Sequence, residues 1–299
     1  MSLQSGIDLT VIIPAYNEME NLTVILPSLI SHCRENNWRI ILVNDGSRDE
    51  TKDFLKGFAN EPALRILHHK LNKGYGAAIK TGISACETDY LITYDADGQH
   101  YLDDIERLVA CLMKHDADMV VGSRKGIKSA SITRGIGKSI IRLIARIMMT
   151  VPIHDINSGM KIYRTDLAKK YLYLTTNTMS FSDVITLIFI NNRHLVVEEP
   201  IRIKERNTGK STIGFQTAFQ TIMEIINIVI LFSPMKIFLP LSLVSIIITM
   251  SWGIPLALQG RGVSMGTLLG IVVTLLFFLL GLITEQLSLI RRNQHQEPT

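Results

Sequence analysis

The chain has 299 residues, enough for one large domain or two smaller ones, and a formal net charge of +4. So mild an excess of cations does not mark a nucleic-acid binder. The mean hydropathy of +0.24 is high for a soluble enzyme, and the apolar residues concentrate after Met235.

The start, MSLQSGIDLT, carries neither a cationic n-region nor an apolar h-region, so no signal peptide is expected. From Asp8 to about Val121, short β-branched runs alternate with helical patterns. Strands are predicted at Leu9–Ile13, Arg39–Val43, Leu64–Leu67, Tyr90–Thr93 and Met119–Val121. Helices are predicted between them, near Glu20–Arg34, Asp49–Ala59, Ala77–Cys86 and Asp103–Lys114. This alternation predicts an α/β fold with a mainly parallel sheet covered on both faces. Two further runs, Leu195–Glu198 and Ile201–Lys204, follow a mixed region and are predicted to extend the sheet.

The segment Thr212–Ser233 places Gln216, Gln220, Glu224 and Asn227 at helical spacing in an apolar background. It reads as an amphipathic helix, either lying in a membrane interface or packed on the domain. Two long uncharged runs follow, Ile237–Gln259 and Gly262–Thr284. Each exceeds the roughly 18 residues that make a transmembrane helix the expected reading. Lys236 and Arg291–Arg292 flank the pair on one side, against Arg261 in the connector. The positive-inside rule then puts both termini in the cytoplasm. Cys33, Cys86 and Cys111 have no metal-ligand spacing and read as reduced thiols.

The tripeptide Asp-Ala-Asp occurs twice, at Asp95–Asp97 and at Asp116–Asp118. Spacing alone does not separate the copies, but placement does. The first follows the strand YLIT, at its carboxyl end, where open α/β sheets bind ligands. The second precedes a strand and reads as a solvated turn. Glu18 after the first strand, Asp45 after the second and Arg124 after the fifth join Asp95 and Asp97 on one rim. Carboxylates for a divalent cation beside a cation for phosphate suit a nucleotide and a metal. Singly, Asn17 and Ser47 could be helix caps and Asp45–Gly46 a turn.

The ordered set IPAYNE, VNDGS, LNKGYGAA, DADGQH and GSR resembles the family-2 glycosyltransferases of the GT-A fold. Within them it is similar to the dolichol-phosphate mannose synthase and polyprenyl-phosphate glycosyltransferase branch. The match covers roughly residues 8 to 212. The resemblance implies that Pro14, Tyr16 and Glu18 frame the nucleoside and that Asp45 holds the base or ribose. It implies a divalent metal, Mg or Mn, at Asp95, Asp97 and Gln99, with Lys73 approaching the donor. Arg124 would lie near an acceptor phosphate, with Arg134 and Ser139 on the following helix. Asp155, in the segment His154–Lys161, would be a catalytic or sugar-orienting carboxylate, its bland alternative being an Asx-turn. Arg206 and Ser211 resemble the RxxGxS loop that holds phosphates near the membrane. This chain departs from that pattern, with Thr212 after the serine and a lysine earlier, at Lys210.

Gly74–Ala78 lacks the third glycine of a dinucleotide fingerprint, so a Rossmann cofactor is rejected. Neither Trp38 nor Trp252 completes the QxxRW motif of processive synthases. The implied protein is a membrane-anchored, metal-dependent, inverting transferase moving a sugar from a UDP- or GDP-sugar to a polyprenyl phosphate. A transferase for another lipid or glycan acceptor and a non-catalytic scaffold are the alternatives, and a homo-oligomer stays open. The implied organisation is a catalytic domain over 1–211, a juxtamembrane helix over 212–234, two transmembrane helices over 235–292 and a tail over 293–299.

Overall fold

The computed structural model describes residues 6–124, 152–156, 158–204, 230, 233–260 and 262–293. They fall into two compact units, residues 6–124 with 152–204, and residues 233–293.

The first unit is built on a seven-stranded sheet. Its central strand, β1 (Leu9–Ala15), is buried at every position. It pairs in parallel with β2 (Arg39–Asn44) on one side and β4 (Tyr90–Thr93) on the other, and β3 (Leu64–His68) adds to β2. Strands buried on both faces read as continuous apolar runs, which is why LTVIIPA and RIILVN were legible as strands. Alternation then assigns the faces. Leu9, Val11 and Ile13 join a core with Leu22, Leu26 and Leu29 of α1 (Met19–Glu35) and Ile105, Leu108 and Leu112 of α4 (Asp103–His115). Ile12 points the other way and meets α3 (Tyr75–Ala85) so closely that a Cβ on Gly82 would lie 2.5 Å from its Cγ2.

The far half of the sheet departs from the predicted pattern. The strand order is β3-β2-β1-β4-β6-β5-β7, and β6 (Lys161–Arg164) runs antiparallel to both β4 and β5 (Met119–Ser123). The sequence reading has no strand at 161–164. That reading also leaves as a mixed region what folds as α5 (Thr165–Tyr171), a 3₁₀ turn and α6 (Phe181–Asn191). The edge strand β7 (Val196–Pro200) pairs in parallel with β5. The predicted strand at Ile201–Lys204 does not form. Ile203 makes only an isolated bridge to His100, while the Arg202 N–H donates to Asp104 Oδ2 at 2.9 Å instead of to a ladder. Helix α2 is shorter than predicted, Thr51–Lys56, with the chain continuing in turns after Gly57.

Because β6 alone is reversed, the carboxyl ends of β1, β2, β4 and β5 all reach the same rim. The chain leading into β6 reaches that rim as well.

The second unit is a pair of helices, α7 (Met235–Leu258) and α8 (Met265–Asn293). Their apolar spans, Met235–Leu258 and Met265–Ile290, have hydropathies of 2.0 and 2.6. At 1.5 Å per residue the first is roughly 36 Å long, enough for a hydrocarbon core of about 30 Å. Only 17% and 11% of the most apolar 18-residue window of each is buried, unlike the core helix of a soluble domain, and both helices are long and apolar enough to cross a membrane. Small residues let the two backbones approach, Gly253 against Thr267 and Gly270 against Thr249. The Thr274 hydroxyl donates to Ser245 Oγ at 2.9 Å. Glu285 reaches back to accept the Met235 N–H at 3.3 Å, answering one orphan donor of the first helical turn. The predicted amphipathic segment Thr212–Ser233 lies almost wholly outside the described residues.

Candidate active site

At the rim, the turn after β1 is clasped to the loop after β2. The Asn17 N–H donates to Ser47 Oγ at 2.9 Å, and the Arg48 N–H donates to Asn17 Oδ1 at 2.8 Å. Asn17 adopts φ 56°, a left-handed conformation that Asn tolerates. The Glu18 N–H donates to Thr51 Oγ1 at 3.1 Å. Asn17 and Ser47 are therefore loop-to-loop ties rather than helix caps, and they fix the wall that carries Tyr16 and Glu18.

Asp45 is 2% exposed and holds a second loop in place. Its Oδ1 lies 2.6 Å from His69 Nδ1 and accepts the Lys73 N–H at 2.9 Å, while Oδ2 accepts the Gly74 N–H at 2.8 Å. His69 Nε2 in turn lies 2.9 Å from Thr81 Oγ1. With three donors already on its carboxylate, Asp45 is first an organiser of the loop that leads into α3. Lys73 contributes its backbone here, and its side chain is exposed.

The Asp95–Asp97 segment leaves β4 beside α3. The Tyr75 hydroxyl donates to Asp95 Oδ1 at 2.8 Å, and His100 Nε2 stands 3.8 Å from Oδ2. Burial pushes the Asp95 carboxyl up, but His100, Tyr75 and the charge of Arg124 outweigh it and hold it below the usual carboxylate range. It is therefore ionised. Burial and the adjoining Asp95 charge push the Tyr75 phenol well up, so it remains a donor. Asp97 Oδ1 accepts the Gln99 N–H at 3.1 Å, which closes a turn and makes the backbone of Gln99 its described contribution.

A cleft of about 400 Å³ collects these groups. Pro14, Ala15, Tyr16 and Glu18 line it from β1, Asp45 from β2, and Asp95, Ala96 and Asp97 from β4. Asn72, Gly74, Tyr75, Ala78 and Met179 complete it. Six of the predicted residues, Pro14, Tyr16, Glu18, Asp45, Asp95 and Asp97, thus meet in one place, whereas Lys73, Gln99 and Arg124 are not among its lining. The described lining carries four carboxylates and no lysine or arginine.

Arg124 and Asp155, to which the sequence reading gives separate roles, form one pair. Arg124 donates through Nε at 2.7 Å and Nη2 at 2.8 Å to the two Asp155 oxygens, and through its backbone N–H at 3.1 Å. Burial raises the Asp155 carboxyl, and the hydrogen bonds and charge of Arg124 more than reverse this. The Arg124 guanidinium is raised by the same bonds. Glu198 of β7 completes the support, its Oε2 accepting the His154 N–H at 2.6 Å. The Asp155 carboxylate bonds Arg124, far away in sequence, while the Asx-turn alternative turns on the backbone of Asn157, outside the described residues.

Tyr75, His69, Asn72 and Met179 belong to the site and were given no role from sequence. Tyr75 stood inside a recognised motif, but nothing local announced that its hydroxyl meets Asp95. Arg134, Ser139, Arg206 and Ser211 lie outside the described residues. Among the described residues no group of three or more His, Cys, Asp or Glu side chains is arranged to hold a metal. Asp95 and Asp97 still fit a hard divalent cation, since such ions bind through one or two carboxylates plus substrate phosphates and retained waters.

A model of glycosyl transferase family 2 matches residues 10–172, and one of the GtrB C-terminal hairpin matches residues 233–290. The polyprenol monophosphomannose synthase of Mycolicibacterium smegmatis is 31% identical over 212 residues, covering 67% of this chain and 79% of that protein. The undecaprenyl-phosphate 4-deoxy-4-formamido-L-arabinose transferase of Pectobacterium carotovorum subsp. carotovorum is 29% identical over 213 residues. That match covers 70% of this chain and 63% of the transferase. Among solved structures, glucosyl-3-phosphoglycerate synthase from Mycobacterium tuberculosis, in complex with Mn2+, uridine diphosphate and phosphoglyceric acid, superposes with a TM-score of 0.58. It covers 76% of this chain and 80% of its own at 17% identity, a likeness of fold. With more than half of its residues matched by the family model, and with a mainly parallel sheet presenting Asp95 and Asp97 at its carboxyl rim, the chain belongs to glycosyl transferase family 2.

Proposed function

We propose that this glycosyltransferase moves a sugar from a nucleotide-sugar donor to a polyprenyl phosphate at a membrane surface, with inversion and with a divalent metal, Mg or Mn. The observation that carries the reading is a cleft whose described lining carries four carboxylates and no lysine or arginine, in a chain that also bears two apolar spans. A donor diphosphate entering the cleft meets the carboxylates of its described lining. Asp95 and Asp97 are the residues to hold a divalent cation that accompanies the donor diphosphate. When bound, the metal neutralises charge developing on the departing nucleoside diphosphate.

Pro14, Tyr16 and Glu18 would flank the nucleoside, with Asp45 shaping the loop beneath it and Gln99 and Lys73 closing the donor side. Arg124 would orient the acceptor phosphate, helped by Arg134, Ser139, Arg206 and Ser211 from segments outside the described residues. A phosphate monoester with a second pKa of ~6 is already ionised at neutral pH, so attack on the anomeric carbon needs no strong base. Asp155 fits that scheme. Held below the usual carboxylate range by Arg124, it is a weak base and serves to aim the guanidinium. This favours a phosphate acceptor over a lipid hydroxyl.

The relatives named above support the acceptor class through what their names say they act on. The domain division into 1–211, 212–234, 235–292 and 293–299, and both termini in the cytoplasm, belong to the same proposal. The test uses the full chain in proteoliposomes with undecaprenyl phosphate and a panel of labelled UDP- and GDP-sugars. A lipid-linked sugar should form, vanish with EDTA and return with Mn2+ or Mg2+. Turnover that is indifferent to chelation refutes the metal, and sugar transferred only to a lipid hydroxyl refutes the acceptor.

A further inference from the structure

Among the buried polar residues described there is a single lysine, Lys161, and it is 0% exposed at the start of β6. Its Nζ donates to Ile156 O at 2.7 Å, to Thr186 Oγ1 at 2.7 Å and to Ser182 O. An ammonium has three donors and no acceptor, and here three oxygens from two segments take them up. Burial lowers its pKa, partly countered by the charges of Asp183, Asp155 and Asp95 and reinforced by Arg124. A buried ammonium is costly relative to an apolar side chain of similar length, so its position calls for a reason beyond packing.

The reason lies one residue from its first acceptor. Ile156 follows Asp155, whose carboxylate takes the two side-chain bonds of Arg124. The same short segment is gripped in front by Glu198, which accepts from the His154 N–H. Lys161 supplies the grip from behind and ties Ile156 to α6 through Ser182 and Thr186. It is not part of the cleft lining and does not reach open space; its backbone pairs with Thr93 of β4, while its ammonium points to Ile156 and α6.

We propose that Lys161 is a positioning residue for the acceptor half of the site, its ammonium fixing the Ile156 carbonyl and with it the angle at which Asp155 presents Arg124. This rests on the reading that Arg124 meets the acceptor phosphate.

The experiment compares wild type with Lys161→Met and Thr186→Val, all as full chains in proteoliposomes. It reads KM for undecaprenyl phosphate, kcat, and Kd for the nucleoside diphosphate of the active donor. Lys161→Met should raise the acceptor KM about tenfold or more, toward the roughly hundredfold effect of a misplaced group, and leave the nucleotide Kd unchanged. Thr186→Val, which removes one acceptor and keeps the bond to Ile156, should move the same constant less. An unaltered acceptor KM in Lys161→Met overturns the proposal, as does a parallel loss of nucleotide affinity, the mark of general unfolding. Should Lys161→Met fail to fold, Thr186→Val decides on the same two constants. Wild-type protein that charges no polyprenyl phosphate refutes the functional reading itself. Active wild type beside an unaffected Lys161→Met refutes only the role of the lysine.

Discussion

Gly159 allows the position of Asp95 to be tested without touching Asp95. Its carbonyl accepts the Thr93 hydroxyl at 2.6 Å, which pins the glycine backbone to β4. A Cβ at this position would stand 2.0 Å from Asp95 Oδ2, 2.7 Å from Cγ and 3.0 Å from Oδ1. Ordinary contact begins at 3.4 Å, so in Gly159→Ala the carboxylate must retreat by 3.4 − 2.0 = 1.4 Å. The Tyr75 hydroxyl bonds the same carboxylate through Oδ1, itself only 3.0 Å from the added carbon, so the shift also disturbs that 2.8 Å bond. Losing a hydrogen bond to a charged group costs about 1.5–3 kcal/mol, and overpacking of this kind about 1–3 kcal/mol. The fold should survive such losses. Catalysis should not, because a misplacement of about 1 Å lowers a rate about a hundredfold. Initial rates of sugar transfer over a Mn2+ titration should show lower kcat and a raised metal requirement, with the full chain still folded in thermal melts. Gly57→Ala is the control, since its Cβ meets only Phe54 O at 3.4 Å, at φ −62°. A Gly159→Ala enzyme within threefold of wild type would refute the claim that this carboxylate geometry governs transfer.

Asp97→Ala should abolish transfer while leaving the protein folded and membrane-bound, as read by lipid-linked product and by vesicle flotation. Retained turnover would remove Asp97 from the metal site. Tyr75→Phe keeps the ring and loses the donor to Asp95, so kcat/KM should fall about tenfold for a bond of about 1.5 kcal/mol. Asp155→Asn removes from Arg124 the carboxylate charge that its two described side-chain bonds reach. The Arg124 side chain is 34% exposed, which places the loss at or below the lower end of the about 3–5 kcal/mol for breaking a buried pair. The folded Asp155 carboxyl lies below its unfolded value of about 3.9, so the stabilisation is fully present above that pH. It is lost as pH falls through the lower folded value. The unfolding free energies of wild type and Asp155→Asn in denaturant should therefore differ by a constant amount from pH 5 to 8 and converge in stronger acid.

Parallel strands with both faces covered announce themselves, and β1, β2 and β4 were legible within a residue or two. β6 was not. Its four residues include a lysine, and what makes them a strand is pairing across the sheet, Leu91 with Tyr163 and Val120 with Ile162. The carboxylates of the cleft were legible because each lies within four residues of the carboxyl end of a strand. The bonds from Tyr75 to Asp95 and from Arg124 to Asp155 join segments far apart in sequence, so no spacing rule exposes them. The second Asp-Ala-Asp shows the same limit. Asp116 is an exposed left-handed residue ending α4, as a solvated turn requires. Asp118 is instead bound, accepting the Leu195 N–H at 2.8 Å and facing His194 Nδ1 at 3.5 Å. His194 Nε2 in turn lies 2.9 Å from the Tyr171 hydroxyl. This copy is a structural tie at the opposite edge of the sheet.

The reversal of β6 has a mechanical consequence. A strand running against β4 and β5 brings its entering segment to the rim between them. That one segment carries Asp155 to Arg124 of the β5 end and Gly159 to Asp95 of the β4 end. The residues assigned to the donor metal and to the acceptor phosphate thus share a backbone only a few residues long. Substitutions in the clasp between the β1 and β2 loops, such as Ser47→Ala, have no such link and should change donor affinity alone. Substitutions from Asp155 to Lys161 act on a piece common to both halves. They should raise the acceptor KM at the Asp155 and Lys161 end and the metal requirement at the Gly159 end. Kinetics in which the clasp and the segment behave alike would mean that the rim moves as one body and that the reversed strand plays no part in dividing it.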